Sequence, residues 1–311
     1  MPRTIAVAGT GSIGVAFAVL FSRAGFHVRL WDALPEAFDR AAAELDSRLA
    51  LLAEHGLLAE EPSAILERIS FHEILLDALQ GAELVQECVP ERLEIKREVF
   101  QQLGAYSEPH AVLASSSSAI VSSAFATVTP ARDRILIAHP GNPPYLIPVI
   151  EVVPSEYTSQ ETVDRALALY REAGMKPVVV HQEIEGFVFN RLQGALLREA
   201  YCLVRDGVAS VEDIDEVVRS GLGRRWAFIG PFETADLNTR GGIASHAEKL
   251  GPAYARMGAL RGQDDPWTPE LVASVEAQRR AVLPEADWEA RVVWRDEQLM
   301  KLSKLIGEGA S

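Results

Sequence analysis

The sequence predicts an α/β fold: a doubly wound, mostly parallel sheet followed by an all-helical C-terminal domain. Three observations carry this expectation. Short apolar runs alternate with helical patterns over the first 184 residues, a glycine-rich turn interrupts the first alternation, and strand-like runs stop near residue 185. Alternation of this kind places parallel strands between two layers of helices.

Taken in order, Thr4 to Ala8 (TIAVA) is a short buried strand, and Ile13 to Ala24 is rich in helix formers. Gly25 ends that helix, and His27 to Trp31 (HVRLW) is the next strand, completing one βαβ unit. Pro35 opens an amphipathic segment, Glu36 to His55, with Phe38, Ala41, Leu45, Leu49 and Leu52 at helical spacing. Leu84 to Val89, Ala111 to Ser115, Arg134 to His139, Pro148 to Val153 and Pro177 to His181 continue the strands. Leu93 to Leu103 and Glu161 to Ala173 are the helices among them. Phe187 to Arg205 is a long apolar helix, and the chain beyond it to Leu305 reads as helix and turn. The expected division is therefore 1–184 and 185–311. Apolar faces on a helical second domain are buried most simply against a second copy, so a homodimer through that domain is expected.

With 311 residues, 48% of them hydrophobic and 24% charged, the chain has the bulk for two cores. A formal net charge of −14 argues against nucleic acid or an anionic membrane surface as partner. Cys88 and Cys202 provide no disulfide framework and no metal-ligand spacing; they read as small core residues, and a cytoplasmic location is expected. The opening Met1-Pro2-Arg3-Thr4 enters a strand at once, so no signal sequence is expected. No apolar run approaches the roughly 20 residues needed to span a bilayer.

Between the first strand and its helix lies Gly9-Thr10-Gly11-Ser12-Ile13-Gly14. The first glycine permits the tight turn, the second lets the backbone approach a pyrophosphate, and the third lets helix and strand pack closely. The helix N-terminus at Ser12 and Ile13 adds amides and partial positive charge for the phosphates. Asp32, at the end of the next strand, can accept hydrogen bonds from a ribose 2′-hydroxyl and would repel a 2′-phosphate. This is a Rossmann-type dinucleotide site, and it favours NAD over NADP.

Four further segments stand out: Ser115-Ser116-Ser117-Ser118, His139-Pro140-Gly141-Asn142-Pro143-Pro144, Glu151, and Gly186-Phe187-Val188-Phe189-Asn190-Arg191. Each alone has a plain structural reading as turn, cap or core. Together with the glycine turn, ECVPERLEIK, GPFE at Gly230 to Glu233 and the WRDEQLMKLSKL tail, they resemble the L-3-hydroxyacyl-CoA dehydrogenase superfamily over nearly the whole chain. Within it the sequence is most similar to the lambda-crystallin branch, a lineage of L-gulonate 3-dehydrogenases, through HPxNPPY, GLGxRxAFIGP and the tail.

The resemblance implies His139 as general base, Glu151 as the carboxylate that orients it, and Ser118 and Asn190 as hydrogen-bonding partners of the reacting oxygen. It also implies Glu91 and Lys96 as cofactor contacts. Histidine suits the task because its unperturbed pKa lies near neutrality. Acyl-CoA members of the superfamily carry S-N-T-S, H-F-F-N-P and a short M-G-P loop where this chain has Ser115 to Ser118, His139 to Pro143 and Gly223 to Pro231. These departures cluster at the implied substrate site and point to a free acid, with Arg225 as its carboxylate ligand. A small 3-hydroxy acid is the expected substrate, L-gulonate first; a short-chain 3-hydroxyacyl-CoA and carnitine are the competitors, and a non-catalytic NAD-binding protein the remote one. Gly141 stands where lambda-crystallin relatives carry valine, and its effect on the shape of the pocket is left open by the sequence.

Overall fold

The computed structural model describes residues 3–240, 242–261, 269–282 and 284–305. The first part contains β1 (Thr4–Ala8), α1 (Ser12–Arg23), β2 (His27–Trp31), α2 (Phe38–Glu54), α3 (Pro62–Leu66), β3 (Ile69–His72) and α4 (Leu75–Leu79). It continues through β4 (Ala82–Glu87), α5 (Leu93–Tyr106), β5 (Val112–Ser115), α6 (Ser123–Ala126) and β6 (Ile135–Pro140). β7 (Val149–Pro154), α7 (Gln160–Glu172) and β8 (Lys176–Val179) complete it. The strands form one eight-stranded sheet in the order β3-β2-β1-β4-β5-β6-β7-β8. All neighbours are parallel except β6 and β7. That exception follows from the connection: residues 141–148 are too few for the helical crossover that parallel neighbours need.

Both faces of the sheet are covered. In β1, Ile5 and Val7 join a core with Phe17, Phe21, Leu45, Leu49 and Tyr170, while Ala6 joins the other with Val85, Phe100, Leu113 and Phe125. Successive strand side chains point to opposite faces, so a strand buried on both reads as an unbroken apolar run. β3 was not anticipated. It is a half-buried edge strand of four residues, Ile-Ser-Phe-His, paired to β2 alone, and it is too short to show a period.

The remaining helices are α8 (Phe189–Arg205), α9 (Val211–Glu216), α10 (Gly223–Trp226), α11 (Pro231–Asn238), α12 (Gly242–Ala259), α13 (Pro269–Val282) and α14 (Trp288–Leu305). The chain divides into two compact units: the described residues up to Arg191 together with those from Val293 on, and Leu192–Val292. The end of the chain returns to the first unit because Met300 is buried in the α1–α2 core, with Leu299 packed against it. Within the second unit, Arg261 on the α12 side pairs with Glu199 and Asp206 of the α8 region. No helix among the described residues is long and apolar enough to cross a membrane.

Candidate active site

The chain reverses direction across the sheet between β1 and β4, and the carboxyl ends of those strands open the crevice where α/β sheets bind ligands. Two of the glycines show why no other residue serves at their positions. Gly9 has φ +111°, and a Cβ on it would lie 2.7 Å from the Cys88 carbonyl oxygen. A Cβ on Gly14 would lie 1.9 Å from the Gly9 carbonyl oxygen. At Gly11 a Cβ would meet open space, and no side chain caps the α1 N-terminus that follows. The first-turn amides of Ser12 and Ile13 are thus left for an anion. Asp32 is held for a ribose: its Oδ2 accepts from the Thr10 amide (2.7 Å) and hydroxyl (2.8 Å), and its Oδ1 from the Leu34 amide (3.1 Å). These groups fit NAD, which supplies the hydride acceptor when bound.

The serine turn is organised from below. Glu91 Oε1 accepts from the Ser117 hydroxyl (2.6 Å) and from the amides of Ser118 (3.1 Å), Ala119 (2.9 Å) and Ile120 (3.1 Å). Burial raises the Glu91 pKa, but these donors and nearby Lys96 outweigh it and hold the carboxyl below its usual range. Lys96 itself is fully buried. Its Nζ donates to both Glu87 oxygens (3.1 and 2.9 Å) and to Ser115 Oγ (3.3 Å), and lies 3.4 Å from Glu91 Oε2. The expectation of a direct cofactor contact from Lys96 is therefore corrected. Its ammonium is enclosed between two carboxylates and acts on the site through Glu91.

His139 ends β6 and faces Glu151 of β7 across the antiparallel pair. Such directly opposed residues lie on one face of the sheet. His139 Nδ1 bonds Glu151 Oε2 at 2.8 Å, with both side chains nearly buried. Nε2 is then the nitrogen left to exchange a proton with substrate. The other carboxylate oxygen, Oε1, accepts from the amides of Val188 (2.7 Å) and Phe189 (2.9 Å) at the start of α8. Burial alone would raise the Glu151 pKa; the bonds from His139, Phe189 and Val188 together bring it below the usual value.

A sharp turn delivers those amides. Gly186 has φ +76° and Phe187 φ +47°, the latter a left-handed conformation that L side chains adopt at a cost of about 1–2 kcal/mol. Phe187 is fully buried, with its ring centroid 5.6 Å from that of His139, and Phe189 meets the imidazole edge-on at 6.2 Å. Both aromatics escaped the sequence reading, although the Gly-Phe-x-Phe run beside Asn190 was the signal. Asn190 Nδ2 donates to the Ser118 carbonyl (3.2 Å), joining the serine turn to the α8 end of the dyad. Asn190 follows directly on the two residues whose amides bond Glu151, so the Ser118–Asn190 bond and the His139–Glu151 bond meet at the start of α8. Arg225 lies exposed on α10 in the second unit, directly after a π-helical stretch, Val217–Leu222.

Gly141 opens no space beside His139. It is buried, and a Cβ there would come within 2.4 Å of Ile147 Cγ2, so Ile147 already fills the space. Gly141→Val is expected to cost about 1–3 kcal/mol in urea unfolding. Adding Ile147→Ala should recover most of the loss; an undiminished loss would place the strain elsewhere.

The family model of the 3-hydroxyacyl-CoA dehydrogenase NAD-binding domain matches residues 4–184, and that of the family's C-terminal domain matches 186–282. The chain belongs to the 3-hydroxyacyl-CoA dehydrogenase family. It is an NAD-dependent oxidoreductase acting on a CH–OH group. A lambda-crystallin homolog of Bos taurus is 40% identical over 98% of this chain and 96% of its own. An L-carnitine dehydrogenase of a Pseudomonas species is 32% identical over 98% of this chain and 94% of its own. The solved structure of 5-formyl-3-hydroxy-2-methylpyridine 4-carboxylic acid 5-dehydrogenase, an NAD+-dependent dismutase, superposes with a TM-score of 0.86 at 29% identity, covering 100% of both chains.

Proposed function

We propose that this enzyme oxidises the 3-hydroxyl of a small free L-3-hydroxy acid, with L-gulonate as the leading substrate. The observation that carries the chemistry is the buried His139–Glu151 pair beside Ser118 and Asn190. His139 Nε2 would take the proton from the hydroxyl oxygen, and bound NAD would supply the acceptor for the hydride of the carbon that bears it. Glu151 stabilises the imidazolium that forms, and Ser118 and Asn190 hold the oxygen through the change from alcohol to ketone. The free-acid reading is supported by the loop from Gly223 to Pro231, which departs from the acyl-CoA pattern and carries two arginines. Two of the relatives named above act on molecules with a free carboxylate. A guanidinium binds such a group through two parallel hydrogen bonds, and Arg225 is assigned that role.

Steady-state kinetics on L-gulonate, L-3-hydroxybutyrate, carnitine and 3-hydroxybutyryl-CoA test the reading. The free acids are expected to lead in kcat/KM, and Arg225→Ala to lower that ratio by about tenfold or more. A dominant thioester, or an Arg225→Ala variant within about twofold of the parent, would overturn the respective assignment.

The same proposal includes a homodimer through the helical unit, where Val217, Phe228, Phe232, Leu237 and Leu260 are large, apolar and exposed. Light scattering should give twice the 33.9 kDa chain mass; a monomer at micromolar concentration removes this part.

A further inference from the structure

Arg48 lies on α2, outside every segment assigned above, yet three parts of the first unit meet on its side chain. Its Nη1 donates to the Ser12 carbonyl (3.2 Å) and its Nη2 to the Ser12 hydroxyl (2.8 Å), at the first residue of α1 in the nucleotide turn. Its charge is matched one helical turn away by Glu44. Its guanidinium carbon lies 5.7 Å from the ring centroid of Tyr145. Tyr145 is buried in the α1–α2 core and belongs to residues 141–148, the loop that joins the strand carrying His139 to the strand carrying Glu151.

We infer that Arg48 is a positioning residue that ties the nucleotide turn to the loop between the two catalytic strands. Hydride transfer demands that a nicotinamide, anchored through the phosphates that the α1 N-terminus would hold, and the base on β6 be aligned on one substrate carbinol. Small misplacement of either is costly in rate. A planar guanidinium is suited to the bridge, since it donates at its edge and stacks on an aromatic face at the same time. The compensation by Glu44 keeps Arg48 on the protein rather than on a phosphate. The inference rests on the NAD-dependent chemistry of the family and not on which acid is oxidised.

The test uses the full chain with Arg48→Met, Arg48→Lys and Tyr145→Leu. NAD affinity is read by quenching of intrinsic fluorescence, the loop by amide hydrogen exchange over 141–148, and turnover with whichever substrate the parent accepts. Arg48→Met is expected to weaken NAD binding about fivefold, to speed loop exchange about tenfold and to lower kcat about tenfold. Arg48→Lys should keep NAD affinity within about twofold through one bond to Ser12 while leaving loop exchange and kcat impaired. Tyr145→Leu should reproduce the loop and kcat effects with NAD affinity unchanged. Equal loss of NAD affinity in Tyr145→Leu and Arg48→Met would deny the bridge two separable ends. A lower Tm in Arg48→Met, with exchange and kcat as in the parent, would reduce the residue to a fold clip and overturn the inference.

Discussion

Lys96→Met is expected to destabilise the protein by about 3–5 kcal/mol at pH 8, the cost of leaving a buried carboxylate uncompensated. Glu87 is fully buried, and its ammonium partner shares the site with Ser115 and Glu91. Burial already pushes the Glu87 carboxyl above its usual pKa, against the pull of Lys96. Without Lys96 it would move further up and take a proton in the native state. A folded pKa raised above the unfolded value gives stability that is present at low pH and lost as pH rises. The variant's deficit should therefore be smaller at pH 5 than at pH 8 in denaturant titrations. Lys96→Met combined with Glu87→Gln should regain most of it, since no buried charge is then left alone. A deficit below about 1 kcal/mol at pH 8 would show that Lys96 does not compensate a buried Glu87 carboxylate. Because Glu91 carries the amides of the serine turn, the single variant should also lower kcat through a displaced Ser118.

Glu151→Gln is expected to lower kcat by about 10²–10⁴-fold with little change in the KM for NAD. A Gln carbonyl can still accept the Val188 and Phe189 amides, so the α8 turn is retained. Its NH2 then faces His139 Nδ1, which must become an acceptor and leave the proton on Nε2. That is the wrong tautomer for a base at Nε2. A variant within about threefold of the parent would show that Glu151 does not orient the imidazole. The carboxylate also contributes to acid stability. Its pKa is lowered by the His139 and backbone bonds, against burial. That contribution is complete above the unfolded value near 4.3 and is lost as pH falls through the lower folded value. The parent should lose stability in that acid window more steeply than Glu151→Gln.

Legibility in the sequence followed the range of the interactions. The glycine turn and Asp32 could be read because each glycine answers a local demand, and the structure shows the close approaches at Gly9 and Gly14. β3 could not, since a four-residue edge strand is selected by its pairing with β2. The family resemblance implies a cofactor contact for Lys96, whereas its burial is invisible in sequence because its three partners come from β4, β5 and the loop after β4. The antiparallel step at β6–β7 was readable from the short connection, although the strands alone implied a parallel neighbour. Phe187 and Phe189 gain their roles only when α8 is docked against Glu151, and the return of Met300 to the first core is equally non-local.

The pairing of His139 with Glu151 across β6 and β7 has a bearing on how this scaffold can diversify. Proton chemistry is fixed by strand register, and a slip of one residue would send one partner to the opposite face, so intermediates between working arrangements do not exist. The helical unit carries no register constraint of this kind. New substrates can be explored there one substitution at a time, while the acid–base step is inherited whole or lost.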